Sequence, residues 1–272
     1  MATHALATVE FTKLVHLAVP LSPFVLGWSA TTDSARTAQD CFGKIVANAH
    51  SVLALIPDKI EGKGIDIDAS GIASLTRDLI EAYDIFFYLC LEKVSKQTRA
   101  FRTELYIHHH GSELSKINLA LAGSSPSGDI FVRLGEDRLR ADPIFQSLSP
   151  RQQKSLLLGR SATFQAYAIR PADYPVPEPH ASGVYKLLSN SVHSTSLGVM
   201  GSVVYNGRAH PFVIKLVLIA VETSIQYLAH ALTGYLRVRP KLRTRLCPED
   251  INLIRKVSTR DFAAILTKHW RP

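Results

Sequence analysis

The stretch IASLTRDLIEAYDIFFYL, Ile72 to Leu89, decides the fold class. Its apolar residues fall at Ile72, Leu75, Leu79, Ala82, Phe86 and Leu89, in steps of 3, 4, 3, 4 and 3. A strand alternates every second residue, whereas this spacing puts one stripe down a helix with 3.6 residues per turn. It predicts the buried seam of a helix in a bundle, with Asp68 or Ser70 as its cap. Arg77 and Glu81 lie one turn apart on another side. Because Ile85 and Tyr88 make the later turns apolar almost all round, the expectation is that this pair is buried and mutually neutralised.

Working outward, the same periodicity recurs. Phe42, Ile45, Val46, Ala49, Val52 and Leu53 predict a helix from a cap at Asp33 or Ser34 to about Ile56, ended by Pro57. Residues 58–68, with Gly62 and Gly64 among charges, read as a loop. A long helix is expected from Lys96 to Leu121, with Phe101 and Leu105 followed by His110, Leu114, Ile117 and Leu121 at steps of 4, 3 and 4. The run GSSPSG at 123–128 breaks the pattern. Ser149, Pro150 and Gln152 form a capping box that opens another helix. Four prolines within 168–179 exclude a regular element there. A short helix is expected over 184–193, a weak strand within 198–207, and a final helix opening at Ser258 with Asp261 three residues on. Gathered together, the chain divides into an N-terminal helical region, 1–68, and a main helical bundle, 69–271, interrupted by loops near 123–148 and 168–180.

The most apolar run, FVIKLVLIAVETSIQYLAHALTGY from Phe212 to Tyr235, is long enough to span a bilayer. Lys215, Glu222 and His230, with Arg237 beyond, recur every seven or eight residues and share roughly one helix face. Such a stripe is expensive in hydrocarbon and suits the centre of a protein core. The fold class expected is therefore all-α: a multi-helix bundle with one long apolar central helix, Phe212 to Tyr235, not embedded in a membrane. Glu10 and Lys13, before a run interrupted by Pro20 and Pro23, argue against a secretory signal.

Among 272 residues, 46% are hydrophobic and 20% charged, the balance of a folded chain. Cys41, Cys90 and Cys247 lie far apart without a CxxC pair. They imply a reducing, cytoplasmic location and no zinc-thiolate centre. A net charge of +8 attracts nucleic acids such as RNA and anionic membranes, and, spread over much of the chain, it equally fits ordinary solubility charge. The densest basic run, RVRPKLRTR, offers Arg237, Arg239, Lys241, Arg243 and Arg245 as phosphate contacts. No phosphate loop or dinucleotide fingerprint occurs, so no cofactor is implied. Glu104 with His108 and His109 with Glu113 sit at i,i+4 spacing, but neither carboxylate-bridged nor HExxH metal motifs are present, and no metal is expected.

The segments RDLIE (Arg77–Glu81), YDIFFYL and LSNSVH resemble an uncharacterised bacterial all-helical protein family, over about 120 residues, the size of one domain. More distantly, the chain resembles the HEPN superfamily, helical bundles that include RNA-cleaving toxins and defence proteins. Their signature is an arginine, often a polar residue after it, and a histidine after four to six intervening positions. Asn190 and His193 loosely match the polar residue and the histidine, with Ser189 standing where the arginine belongs and only three positions, one short of the pattern, between it and His193. Arg102 and His108 have a permitted spacing, with Thr103 at the polar position. This resemblance implies a metal-independent ribonuclease in which His193, Asn190 and Ser189, supported by Arg77 and Glu81, or else Arg102 with His108, act on the phosphate and its protons. The reading that the residues themselves favour is a helical interaction or self-association module, a homo-oligomer, because apolar bundle faces are plentiful and specific catalytic motifs are not.

Overall fold

The computed structural model describes residues 2–27, 30–57, 67–124, 126–164, 174–193, 199, 204–205 and 208–270. It is built of helices: α1 (Ala2–Leu21), α2 (Pro23–Leu26), α3 (Asp33–Leu55), α4 (Ala69–Phe86), α5 (Lys96–Ala122), α6 (Pro126–Ala141), α7 (Pro143–Gln146), α8 (Pro150–Leu157), α9 (His180–Val192), α10 (Pro211–Val238), α11 (Pro248–Ser258) and α12 (Phe262–His269). A π-helical segment, Phe87–Leu91, continues α4, and a 3₁₀ segment spans Pro240–Arg245. Extended pairing is limited, among the described residues, to Val204–Tyr205 against Arg208–Ala209. The all-α expectation is correct.

Local chemistry sets the boundaries. The Thr32 side chain accepts the Ala35 N–H ahead of α3, Asp68 that of Gly71 ahead of α4, and Ser95 that of Thr98 ahead of α5. The Ser149–Gln152 capping box forms as the sequence predicts, with Pro150 in the first turn. Two expectations are corrected, and one further helix appears. The loop near 123–148 is largely helical: Gly123, at φ 69°, closes α5, and α6 and α7 follow. Its apolar residues and Asp142 cap were outweighed by the glycines at its start. The basic stretch after Pro240 leads into a further helix, α11, with Pro248 in its first turn. The last helix is capped by Asp261, which accepts the Ala264 N–H, rather than opening at Ser258. Of the loop expected at 58–68, only Ile67 and Asp68 are described, and of the proline-rich stretch only 174–179.

The chain forms two compact units, Met1–Leu91 with Arg170–Pro272, and Glu92–Ile169. The division expected at residue 68 falls inside the first unit, where α3 packs along α4. There α10 is the central helix, touched by α1, α3, α4, α9, α11 and α12. By length and composition, two helical stretches could cross a membrane, His4–Leu26 and α10. In α10 most side chains from Val213 to Leu236 are buried within the unit, with Phe42 of α3 stacked on Tyr235 at 4.0 Å between ring centres. The α4 seam is buried at Ile72, Leu79, Phe86 and Leu89, and Leu75 and Ala82 are half-buried against it.

One charge on α10 lies inside this core. Glu222 is buried, with Arg260 Nη1 3.6 Å from its Oε2 and His269 Nε2 3.8 Å from its Oε1. Arg260 also contacts Glu10 of α1. The guanidinium thus joins α1, α10 and the α11–α12 junction. Its loss leaves a buried carboxylate without its cation, which costs about 3–5 kcal/mol. Arg260→Ala is therefore expected to destabilise far more than Glu10→Ala in urea unfolding. Adding Glu222→Gln should recover part of the loss, and failure to recover any would remove Glu222 from the account.

Candidate functional site: an open apolar helix face

The second unit is a helical hairpin packed on short helices. Phe101 and Leu105 of α5 and Leu139 of α6 close a small core with Phe145 and Leu156, and Phe164 packs edge-on against Phe101 at 5.0 Å. The register of the antiparallel pair follows from three successive contacts. Glu104 pairs with Arg138 at 3.3 Å, His108 lies against Gly135, and Gly111 lies against the Phe131 ring. A Cβ on Gly135 would come within 2.8 Å of His108 Nδ1, so glycine is what lets the two backbones approach there.

With that register, helical periodicity gathers the remaining apolar residues on the opposite side of the hairpin. Leu114, Ile117 and Leu121 continue along α5 by steps of 3 and 4, and Ile130, Phe131 and Leu134 lie along α6. All six are open to solvent, each at 46–84% of its full exposure. Six large apolar side chains at such exposure present roughly 600 Å² in one region, the upper end of the roughly 300–600 Å² of the largest apolar patch on a typical monomer, which is often functional. Two ion pairs lie on the hairpin: Lys116 bonds Glu113 at 2.6 Å, and Arg140 lies 3.6 Å from Glu136. The Lys116 hydrogen bond and charge hold the Glu113 carboxyl below its ordinary pKa.

The titratable groups singled out on α5 serve the hairpin's own packing. His108 and Arg102 are almost fully buried. His108 Nε2 lies 3.1 Å from the Leu157 carbonyl, His109 Nδ1 3.0 Å from that of Gly159, and Arg102 Nη1 donates to Glu92 at 2.6 Å. Glu104 turns to Arg138 rather than to His108. Among the described residues, no group of three His, Cys, Asp or Glu side chains gathers to hold a metal.

In the first unit, Arg77 and Glu81 of α4 meet α9. Arg77 Nε donates to Glu81 Oε1 at 3.0 Å, the Tyr185 hydroxyl donates to the same oxygen at 2.7 Å, and the guanidinium sits 5.9 Å from the Tyr185 ring centre. Burial, together with the Glu81 charge and hydrogen bond, raises the Tyr185 phenol pKa, while Ser189 bonds that hydroxyl and opposes the rise. The network joins Arg77, Glu81 and Ser189 through Tyr185, a residue that no motif or periodicity singles out. Asn190 donates to the Lys186 carbonyl at 2.9 Å, and His193 is exposed just past the end of α9. Of the basic run, Arg237 and Arg243 border a cavity of the first unit, while Lys241 and Arg245 are exposed beyond its lining. Arg239 Nη1 reaches Gln39 at 3.4 Å.

No family model, curated protein or solved structure matches this chain.

The Arg77–Glu81 pair is a correction to the burial expected of it: Arg77 is 26% and Glu81 46% exposed. The apolar late turns of α4 face α3 and α10, and the pair stands at the rim beside α9. A pair this exposed is screened by water and is worth under about 1 kcal/mol. Arg77→Ala and Glu81→Ala should each lower stability by less than that in denaturant unfolding, with at most slight coupling in the double variant. Two large, non-additive losses would show the pair to be buried after all.

Proposed function

We propose that this chain works as a self-associating helical module, two copies pairing their α5–α6 hairpins face to face into a four-helix bundle. The observation that carries the reading is the open apolar face of Leu114, Ile117, Leu121, Ile130, Phe131 and Leu134. Its steps of 3 and 4 along α5 are those of a bundle seam, and a hairpin offering such a seam finds its complement in an identical hairpin. A two-fold contact needs a self-complementary surface, and the hairpin carries both signs of charge in pairs, Glu113 with Lys116 and Glu136 with Arg140. The same mixed charge on the hairpin disfavours an anionic lipid or nucleic acid as its partner. The roughly 600 Å² involved per copy approaches the ~800 Å² per partner of a standard interface. A cytoplasmic location belongs to the same reading, supported by three free cysteines.

Sedimentation equilibrium should give twice the 30.0 kDa chain mass at micromolar concentration. Leu114→Asp with Leu134→Asp should return the monomer with unchanged helical circular dichroism, because both side chains are solvent-exposed. A chain that stays monomeric at about 100 μM, weaker than ordinary specific association, would overturn the reading. So would a dimer indifferent to the two aspartates.

A second reading, metal-independent HEPN-like ribonuclease activity, is favoured by the joining of Arg77, Glu81 and Ser189 through Tyr185, with His193 one turn beyond Ser189. RNA incubated with the protein in EDTA should then be cut, and His193→Ala should lower the rate by about 10²-fold or more, as removal of a general acid or base does. RNA left intact, or cut equally by the variant, removes this reading.

A further inference from the structure

The first unit contains a cavity of about 580 Å³ that no part of the self-association reading uses. One wall is apolar and aromatic. Tyr83 of α4, Phe87 of the π-helical segment and Tyr174 pack edge to face, with ring centres 5.4–6.4 Å apart for the edge-on contacts Tyr83–Tyr174 at 5.5 Å and Phe87–Tyr174 at 5.4 Å and for the tilted contact Tyr83–Phe87 at 6.4 Å. Tyr174 is held in place by its hydroxyl contact with Asp84. Adjoining it is one side of α10, where Gln226, His230, Thr233 and Arg237 succeed one another by single turns, the His230 ring centre lies 6.5 Å from that of Tyr83, and Gln226 Nε2 lies 3.3 Å from His230 Nε2. Arg243 comes from the 3₁₀ segment and Arg260 from the α11–α12 junction.

The charge on this lining is unequal. Arg260 is matched by Glu10 and Glu222, and the Asp261 carboxylate caps α12. Arg237 spends one N–H on the Leu91 carbonyl, at 2.8 Å, and neither Arg237 nor Arg243 has a carboxylate partner among the described residues. Two guanidinium groups at the mouth of a cavity with aromatic and amide walls suit a ligand with an anionic end and a flat, polar ring. Guanidinium forks match phosphate oxygens in pairs, and aromatic walls hold a ring by its apolar surface. The volume lies within the range of about 300–1,000 Å³ typical of small-ligand sites.

We propose that this cavity binds a nucleoside monophosphate, its base against Tyr83, Phe87 and Tyr174 beside Gln226 and His230, and its phosphate on Arg237 and Arg243. The nucleotide is either free or the phosphorylated 5′ end of an RNA, since both present the same chemistry to the site. Lys241 and Arg245, in the same basic run but outside the lining, take no part.

Isothermal titration calorimetry on the full chain decides it, with adenosine 5′-monophosphate, adenosine, inorganic phosphate, and a short RNA with and without a 5′-phosphate. The expected result is that the monophosphate or the 5′-phosphorylated RNA binds at least about tenfold tighter than adenosine, phosphate or the dephosphorylated RNA, as charge-assisted contacts require. Binding of the monophosphate identifies a free nucleotide as ligand, and binding of the phosphorylated RNA alone identifies an RNA end. Arg243→Ala, at an exposed position, should weaken binding by about tenfold or more, and Arg237→Ala likewise. Lys241→Ala with Arg245→Ala should leave it within about twofold, as expected for charges screened by solvent. Three results would overturn the proposal: no binding of either phosphorylated probe at millimolar concentration, equal binding of adenosine, or equal weakening by the Lys241 and Arg245 substitutions. Thermal unfolding of each variant confirms that the fold is retained.

Discussion

The pairing of Glu222 with Arg260 is the constraint on which the first unit depends. An ionised carboxylate inside a protein core carries a desolvation cost of several kcal/mol, and it persists where a cation meets it. In this chain the cation arrives from the far end of the sequence, on the turn between α11 and α12, and it also meets Glu10 on α1. The apolar surface of α10 supplies most of the driving force for packing six helices around it. That surface is nearly uniform, and non-directional attraction alone does not fix rotation or register. Glu222 does, because the helices that carry its partners have to be presented to one side of α10.

The same side of α10 also explains the cavity. A helix that carries polar residues every second turn cannot be sealed by apolar neighbours along that stripe. Where Glu222 is closed over by Arg260 and His269, the stripe is part of the core. Further along, at Gln226, His230 and Arg237, the covering chain is the π-helical Phe87–Leu91 segment and the turn before α12. The extra residue per turn in a π segment interrupts the regular surface of α4, and such segments occur often at functional sites. Tyr83 and Phe87 line the same space as Arg237, so aromatic and cationic groups face one cavity.

In the second unit the decisive physics is the width of the apolar stripe. One side of α5 is satisfied by α6, α7 and α8 through Phe101, Leu105 and their partners. Gly111 and Gly135 bring α5 and α6 close enough that no further layer fits between them. Leu114, Ile117 and Leu121 in the later turns of α5 keep an apolar seam facing outward. Hydrophobic side chains held rigidly on two helices lose little entropy when covered, which makes such a face an efficient contact surface.

The sequence by itself determined the helices and much of their capping, because both are local. Steps of 3 and 4 at Ile72–Leu89, the Asp68 and Ser149 caps and the length of Phe212–Tyr235 depend on residues within one or two turns of each other. It also marked the Lys215–Glu222–His230–Arg237 stripe as one face of a buried helix. What that face met was beyond its reach: Arg260 lies 38 positions after Glu222, and Tyr83 and Tyr174 lie far before Arg237. Periodicity likewise marked Leu114, Ile117 and Leu121 as a seam without telling whether this chain or another covers it, and the apolar later turns of α4 implied burial for Arg77 and Glu81, which α9 leaves at a rim. Only the tertiary structure decided those points, because burial and pairing are set by which elements arrive from distant parts of the chain, and no local interaction encodes that.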